Sequence, residues 1–320
     1  MHVESICPIF LFSLPRSGST LLQRILTTHS CITTTPEPWV LLPLLSMRRD
    51  DVFADYGHAT ARRAIADFRS RLEGGEGGFD DELRRFVLRI YRRAAGSNAT
   101  YFLDKTPRYH LIASEIIDLL PSARVVILWR NPLAIMASII QTWGKGKWNL
   151  YRYNVDFYRG LPLLVDLARQ DQANVISIRY EDLVTRQKET LKRVCDHLDL
   201  NLDELDVSPP TLDGVVGDPT QTQYDSISSA SLDKWKTVLA NPLRKRSACA
   251  YLDWLGTDRL GIMGYAYDDL VDAINKTPLT LQYMGRDVIG FIKGVVWPFG
   301  EYEMYKHKLE SSSDSLVHHG

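Results

Sequence analysis

The segment Ile9-Phe10-Leu11-Phe12-Ser13-Leu14-Pro15-Arg16-Ser17-Gly18-Ser19-Thr20-Leu21-Leu22-Gln23-Arg24-Ile25-Leu26-Thr27-Thr28-His29 passes from an apolar run through a polar turn into a helical pattern. Ile9 to Leu14 is a short apolar run of the kind that forms a buried strand. Pro15 to Thr20 breaks it, and Leu21, Leu22, Ile25 and Leu26 then recur at helical spacing. A strand, a tight polar loop and a helix present backbone N–H groups to an anion, because loop amides and helix N-terminus point the same way. Gly18 lets the backbone come close, Ser19 and Thr20 add hydroxyl donors, and Arg16 adds a permanent positive charge. The loop is not a Walker A motif, which ends in Gly-Lys-Ser/Thr; here Ser19 stands where the lysine belongs. On these residues alone, an ordinary strand–turn–helix connection with a serine cap reads equally well.

Composition sets the wider frame. A chain of 320 residues suits one large α/β domain, or one domain with an appendage. Hydrophobic content of 45% and charged content of 24% are those of a soluble globular protein. A net charge of −1 argues against broad nucleic-acid binding, so any basic site must be local. Cys7, Cys31, Cys195 and Cys249 are scattered and read as reduced thiols, neither a disulfide frame nor a zinc site. No apolar run has the length of a signal core or a span, so a cytoplasmic protein without stable membrane insertion is expected.

Further along, Glu37 lies between Pro36 and Pro38, which restrict its backbone. Trp39 to Met47 reads as a short buried helix, and Ala59–Leu72 and Asp80–Ala95 as amphipathic helices. Gly74 to Gly78 between them reads as a flexible break and a candidate hinge. Tyr101 to Leu103 is a strand ending in Asp104-Lys105-Thr106-Pro107, with a helix expected from about Pro107 to Leu120. Charged residues at a strand's carboxyl end sit where open α/β sheets bind ligands. Arg124 to Leu128 is the clearest strand, apolar and mostly β-branched after its arginine, as in an interior parallel strand. It ends in Trp129-Arg130 rather than a magnesium-binding aspartate. Pro132 opens the next helix, on which Ser138 and the strand-end Arg130 can converge on one anionic group.

Tyr151–Arg169 reads as helical, Asn174–Ile178 as a strand, and Arg179 to about Leu198 as a turn and helix. Leu200 to Ala230 is an aperiodic excursion, followed by Ser231-Leu232-Asp233-Lys234-Trp235 and a helix near Pro242–Leu255. The tail from Leu279 holds Tyr283, Ile289, Phe291, Ile292, Val295, Val296, Trp297 and Phe299, expected to pack back on the domain or against a subunit. A membrane-surface helix ranks low, because its polar face is poor in Lys and Arg.

Together these pieces resemble the sulfotransferases that use 3′-phosphoadenosine-5′-phosphosulfate (PAPS), most of all the tyrosylprotein sulfotransferase branch and its bacterial relatives. Pro15-Arg16-Ser17-Gly18-Ser19-Thr20-Leu21 resembles the family's 5′-phosphosulfate loop. Arg130 and Ser138 resemble its 3′-phosphate site. Glu37 stands where that branch places its catalytic glutamate, and Asp104-Lys105-Thr106-Pro107 resembles the segment of its catalytic lysine. Tyr180-Glu181-Asp182-Leu183 resembles a segment whose tyrosine lies near the adenine, and Ser231 with Lys234-Trp235 a late loop that covers the cofactor. The resemblance runs from about residue 9 to residue 267. It departs at Thr142, where the branch has an arginine, and in lacking a membrane anchor and lumenal disulfides.

The resemblance implies a P-loop-type open parallel sheet flanked by helices: one sulfotransferase domain over residues 1–275 and a C-terminal extension over 276–320, partly helical with a disordered end. It implies a PAPS-dependent enzyme that needs no metal. Pro15, Arg16, Ser17, Gly18, Ser19, Thr20, Arg130, Ser138, Tyr180, Ser231, Lys234 and Trp235 would bind PAPS, and Glu37, Lys105 and Ser231 would act in catalysis, releasing 3′-phosphoadenosine-5′-phosphate (PAP). The expected acceptor is a hydroxyl or amine of a small molecule such as a secondary metabolite; protein-tyrosine sulfation is the alternative, and a homodimer is left open. Two readings of other classes compete, an ATP-dependent small-molecule kinase with Asp104 as its metal carboxylate, and a non-catalytic nucleotide-binding module.

Overall fold

The structure, a computed structural model, describes residues 6–48, 58–207 and 232–296. The strands are β1 (Cys7–Phe12), β2 (Ile32–Thr34), β3 (Tyr101–Asp104), β4 (Arg124–Trp129) and β5 (Val175–Arg179). They form one five-stranded sheet in the order β2-β3-β1-β4-β5. Every pairing is parallel, with Phe10 opposite Asp104 on one side and Val125 on the other. Parallel neighbours require long crossovers, which the helices supply.

The sheet is apolar on both faces. Strand period two sends Phe10, Phe12, Val125 and Ile127 to one side and Ile9, Leu11, Val126 and Leu128 to the other. The second side is covered by α1 (Ser19–Leu26), α8 (Tyr180–Thr185) and α9 (Gln187–Leu198). The first packs against the longer set: α4 (Gly75–Ala95), α5 (Ala113–Leu119), α6 (Pro132–Thr142), α7 (Leu161–Arg169) and α11 (Pro242–Ile262). Shorter or outer helices complete the shell: α2 (Leu41–Leu45), α3 (His58–Ser70), α10 (Lys234–Val238), α12 (Tyr267–Lys276) and α13 (Met284–Val296). Among the described residues, no helix is long and apolar enough to cross a membrane.

Local signals account for most boundaries. Pro132 and Pro242 sit in first turns, and Asn131 and Asn241 cap those helices by accepting from the N–H of Leu133 and Arg244. The glycine run departs from the expected hinge. Gly75 to Gly78 belong to α4, and the turn is confined to Gly74 and Gly75, at φ 80 and 59°. The helix expected over Pro107–Leu120 is divided into a 3-10 turn, Tyr109–Leu111, and α5. The excursion expected over Leu200 to Ala230 is described up to Val207, where Leu202–Glu204 form a 3-10 turn; its remainder, and the tail end expected to be disordered, lie outside the described residues.

The helix α13 is anchored by a buried ion pair. Arg244 of α11 reaches both oxygens of Asp287 at 2.7 and 3.0 Å. Its other donors reach the carbonyls of Val238 and Gly146, at 2.8 Å each. The Asp287 oxygens also accept from Asn241 Nδ2 and the Trp148 N–H. A buried pair with four of its five guanidinium protons and both carboxylate oxygens engaged can hold two elements in register.

Candidate functional site

Each strand contributes one notable residue just past its carboxyl end: Glu37 after β2, Lys105 after β3, Arg16 after β1, Arg130 after β4 and Tyr180 after β5. Neighbouring strands lie about 4.8 Å apart, so residues that are scattered along the chain become a row. The order of strands reverses between β1 and β4, the crevice in which open α/β sheets bind ligands. A pocket opens there, lined by Arg16, Gly18, Ser19, Thr20, Leu21, Arg130 and Tyr180.

The loop between β1 and α1 curls through left-handed backbone at Arg16 (φ 66°) and Gly18 (φ 89°), and its amides precede the first turn of α1. Gly18 is required here for a second reason: a Cβ would stand 2.4 Å from Cδ2 of Tyr180. Tyr180 therefore lies against the loop, and the Arg130 guanidinium sits 4.4 Å over its ring. Arg130 Nη1 donates to the Arg16 carbonyl at 2.7 Å. Arg16 Nε donates to Ser138 Oγ at 3.2 Å, its Nη2 reaches Thr142 Oγ1 at 3.5 Å, and its guanidinium lies 5.5 Å from the Trp143 ring. The residues expected from sequence to form two separate anion sites thus lie in a single cluster, with Ser138 bonded to Arg16. Thr142, the point of departure from the family pattern, touches the same arginine.

Beside it, Lys105 Nζ donates to Glu37 Oε1 at 2.7 Å, and Trp39 Nε1 donates to Glu37 Oε2 at 3.2 Å. The ion pair is nearly closed to solvent, with side chains 4% and 9% exposed. What holds Glu37 there is Gln23 of α1, a residue the sequence reading passed over. Its buried amide donates to Thr34 Oγ1 (2.8 Å) and the carbonyls of Thr35 (3.0 Å) and Pro36 (3.3 Å). Its only legible signal was a polar side chain on the apolar stripe of α1.

Asp104 is 0% exposed. It accepts from Tyr91 Oη at 2.7 Å and Thr106 Oγ1 at 2.9 Å, while Thr106 in turn accepts from the Trp39 N–H. Burial lifts its carboxyl from an ordinary 3.8 to about 6, and hydrogen bonds from Tyr91, Thr106 and Tyr109 with the nearby Lys105 charge oppose that rise. Asp104 is a support beneath the Lys105 turn.

The remaining candidates are less concentrated. Pro15 and Ser17 are buried within the loop. Trp235 is buried in the core on α10, which packs against α6, and Lys234 is exposed on the same helix; neither lines the pocket. Ser231 lies outside the described residues.

Residues 8–204 match the profile of the sulfotransferase family. The nodulation protein NoeE of Sinorhizobium fredii (strain NBRC 101917 / NGR234) is 28% identical over 294 residues, covering 80% of this chain and 65% of its own length. This chain therefore spans less than two thirds of that relative. A putative protein-tyrosine sulfotransferase of Caenorhabditis briggsae is 23% identical over 270 residues, covering 78% of this chain and 89% of its own. Among solved structures, the sulfotransferase domain from the curacin biosynthetic pathway superposes with a TM-score of 0.52 at 22% identity, covering 81% of this chain and 96% of that one. At that identity the likeness establishes a common fold.

Proposed function

The chain belongs to the sulfotransferase family, and from that premise we propose that it moves a sulfuryl group from PAPS to a hydroxyl or amine of a small molecule, releasing PAP. The observation that carries this reading is the joining of Arg16, Arg130 and Tyr180 in one pocket next to the Glu37–Lys105 pair. The donor set suits a nucleotide carrying anionic groups at both ends. Ser17 Oγ and Arg130 Nε are buried without a partner among the described residues, and both can donate. When bound, PAPS supplies an already activated sulfate.

In this reading the loop amides with Arg16, Ser17, Ser19 and Thr20 hold the 5′-phosphosulfate. Arg130, steadied by its bond to the Arg16 carbonyl, takes the 3′-phosphate, with Ser138 supporting the cluster through Arg16. Tyr180 offers a ring beside the base. Glu37 accepts the proton from the acceptor as the new S–O or S–N bond forms. Lys105 stabilises the negative charge left on the bridging oxygen as the old S–O bond breaks. Neutralising Glu37 loosens its hold on the Lys105 ammonium at the moment that charge develops. Positioning and electrostatics supply most of the catalysis, as in phosphoryl transfer.

Four free cysteines favour a small-molecule acceptor over a disulfide-rich secretory setting. The kinase reading loses its metal carboxylate, because Asp104 is buried and spent on Tyr91 and Thr106. The test is PAP release from PAPS by the full chain with a panel of phenols, sugars and amines, beside ATP as rival donor. Acceptor-dependent PAP release with no phosphate transfer is expected; phosphate transfer from ATP, or donor binding without turnover across the panel, refutes the reading.

A further inference from the structure

Trp39 is held in a backbone conformation that its side chain does not favour. Its φ is 58°, in the left-handed region that suits Gly or Asn and is an outlier for a bulky side chain. Burial does not account for it, because the residue is 38% exposed. The turn is fixed from the neighbouring loop. The Trp39 N–H donates to Thr106 Oγ1 at 3.3 Å, and Thr106 donates to Asp104 Oδ1 at 2.9 Å. Two residues on, the Leu41 N–H donates to Tyr109 Oη at 3.0 Å. A strained residue that its surroundings over-determine points to a function. What this turn achieves is local: it folds the indole back onto the carboxylate two residues earlier, with Nε1 3.2 Å from Glu37 Oε2.

The Glu37 carboxylate is thereby divided. Oε1 takes Lys105 at 2.7 Å, and Oε2 takes Trp39. Lys105 Nζ carries three protons and uses one on Glu37; among the described residues it has no other hydrogen-bond partner. One ammonium can serve both oxygens of a carboxylate, as Lys192 Nζ does with Asp196 at 2.9 and 2.7 Å. The same clasp at Glu37 would harm the reaction twice. A cationic donor on Oε2 binds it more strongly than the neutral indole N–H and resists yielding that oxygen to the acceptor's proton. It would also occupy a second Lys105 proton that the bridging oxygen needs. The indole N–H is a donor without charge. It holds Oε2 away from the ammonium and leaves that oxygen's second lone pair uncommitted among the described residues.

We propose that Trp39 is a positioning residue for the transfer, an assignment that rests on Glu37 being the base. Its indole N–H keeps the Glu37 carboxylate from closing on Lys105, so that base and cation act at different atoms.

The test compares two substitutions that separate the N–H from the ring. Trp39→His keeps a donor where Nε1 stands, because imidazole overlays the pyrrole part of the indole and the carboxylate selects the donating tautomer. Trp39→Phe keeps an aromatic ring and loses the donor. Acceptor-dependent PAP release is measured with the acceptor that the parent turns over fastest, above the ordinary histidine pKa of about 6.5 so that the imidazole is neutral. PAP affinity is measured by titration calorimetry. Trp39→Phe should lower kcat roughly tenfold or more, the worth of one hydrogen bond to a charged group, with KM for the acceptor and PAP affinity within about twofold of the parent. Trp39→His should recover most of that kcat. A Phe variant at the parental rate overturns the assignment. Equal kcat losses in both variants also overturn it, by making the ring rather than its N–H the working part. A raised KM with kcat kept makes Trp39 an acceptor contact instead, and loss of PAP affinity makes it a brace for the whole pocket; either result overturns the assignment. If the parent itself releases no PAP, the reading of Glu37 as base fails first and takes this one with it. A parent that turns over beside a Phe variant that matches it removes Trp39 alone.

Discussion

Replacing Arg130 with alanine separates two losses that the geometry has entangled. One is shared by any adenosine nucleotide: the bond from Nη1 to the Arg16 carbonyl at 2.7 Å and the stack on Tyr180 at 4.4 Å both disappear, loosening the loop that grips the 5′ end. The other falls on the 3′-phosphate alone. With Nη1 engaged, the fork still offers Nε, which is buried without a partner among the described residues, and Nη2. A charge-assisted hydrogen bond from such a donor is worth roughly 1.5–3 kcal/mol, or about 10- to 150-fold in affinity. Titration calorimetry with PAP and with adenosine 5′-monophosphate, on parent and variant, gives four dissociation constants. The ratio of PAP to monophosphate affinity should fall by that factor, whatever the shared loss. Lysine should restore part of the discrimination, because it keeps the charge but loses the planar fork and the stack. If both nucleotides weaken equally, Arg130 is a brace for the loop, and the assignment of the 3′-phosphate to it is wrong.

Glu37→Gln should cut acceptor-dependent PAP release by at least ~10² while PAP affinity holds, since a general base is worth about 10²–10⁴ in rate; an unchanged rate excludes Glu37 as the base. Gln23→Leu removes three hydrogen bonds from the Thr34–Pro36 segment; it should lower turnover more than PAP affinity, and equal losses would point to a general packing role. The Asp104 carboxyl, at about 6 against an ordinary 3.8, binds its proton more tightly in the folded protein than in the unfolded chain. Stability should therefore fall as pH rises from about 4 to about 6 and level off above, by up to roughly 3 kcal/mol. Asp104→Asn should flatten that slope in urea midpoints measured against pH. Asp287→Ala leaves the Arg244 guanidinium buried without its counter-charge and should cost about 3–5 kcal/mol by chemical denaturation; a loss below about 1 kcal/mol would mean that water reaches Arg244 readily.

Local chemistry was enough to write down the scaffold. The apolar runs at Ile9–Leu14 and Arg124–Leu128, the prolines at helix starts and the loop at Pro15–Thr20 are short-range signals, and each appears as expected within a residue or two. The same signals place Arg16, Lys105 and Arg130 at strand ends. The sequence has no means of stating which strand ends are neighbours. That follows from crossovers that set β1 between β3 and β4, and it brings Arg130 to the Arg16 carbonyl and Lys105 to Glu37. Ser138 illustrates the difference: its position in α6 was readable, but its partner is Arg16 across the crevice. Gln23, Tyr91 and Thr106 act through hydrogen bonds whose partners only folding assembles. Periodicity marks α13 as amphipathic but cannot choose the face that turns inward. That choice belongs to Arg244, a buried cation for which Asp287 supplies the carboxylate, and it leaves Ile289 and Ile292 at the surface.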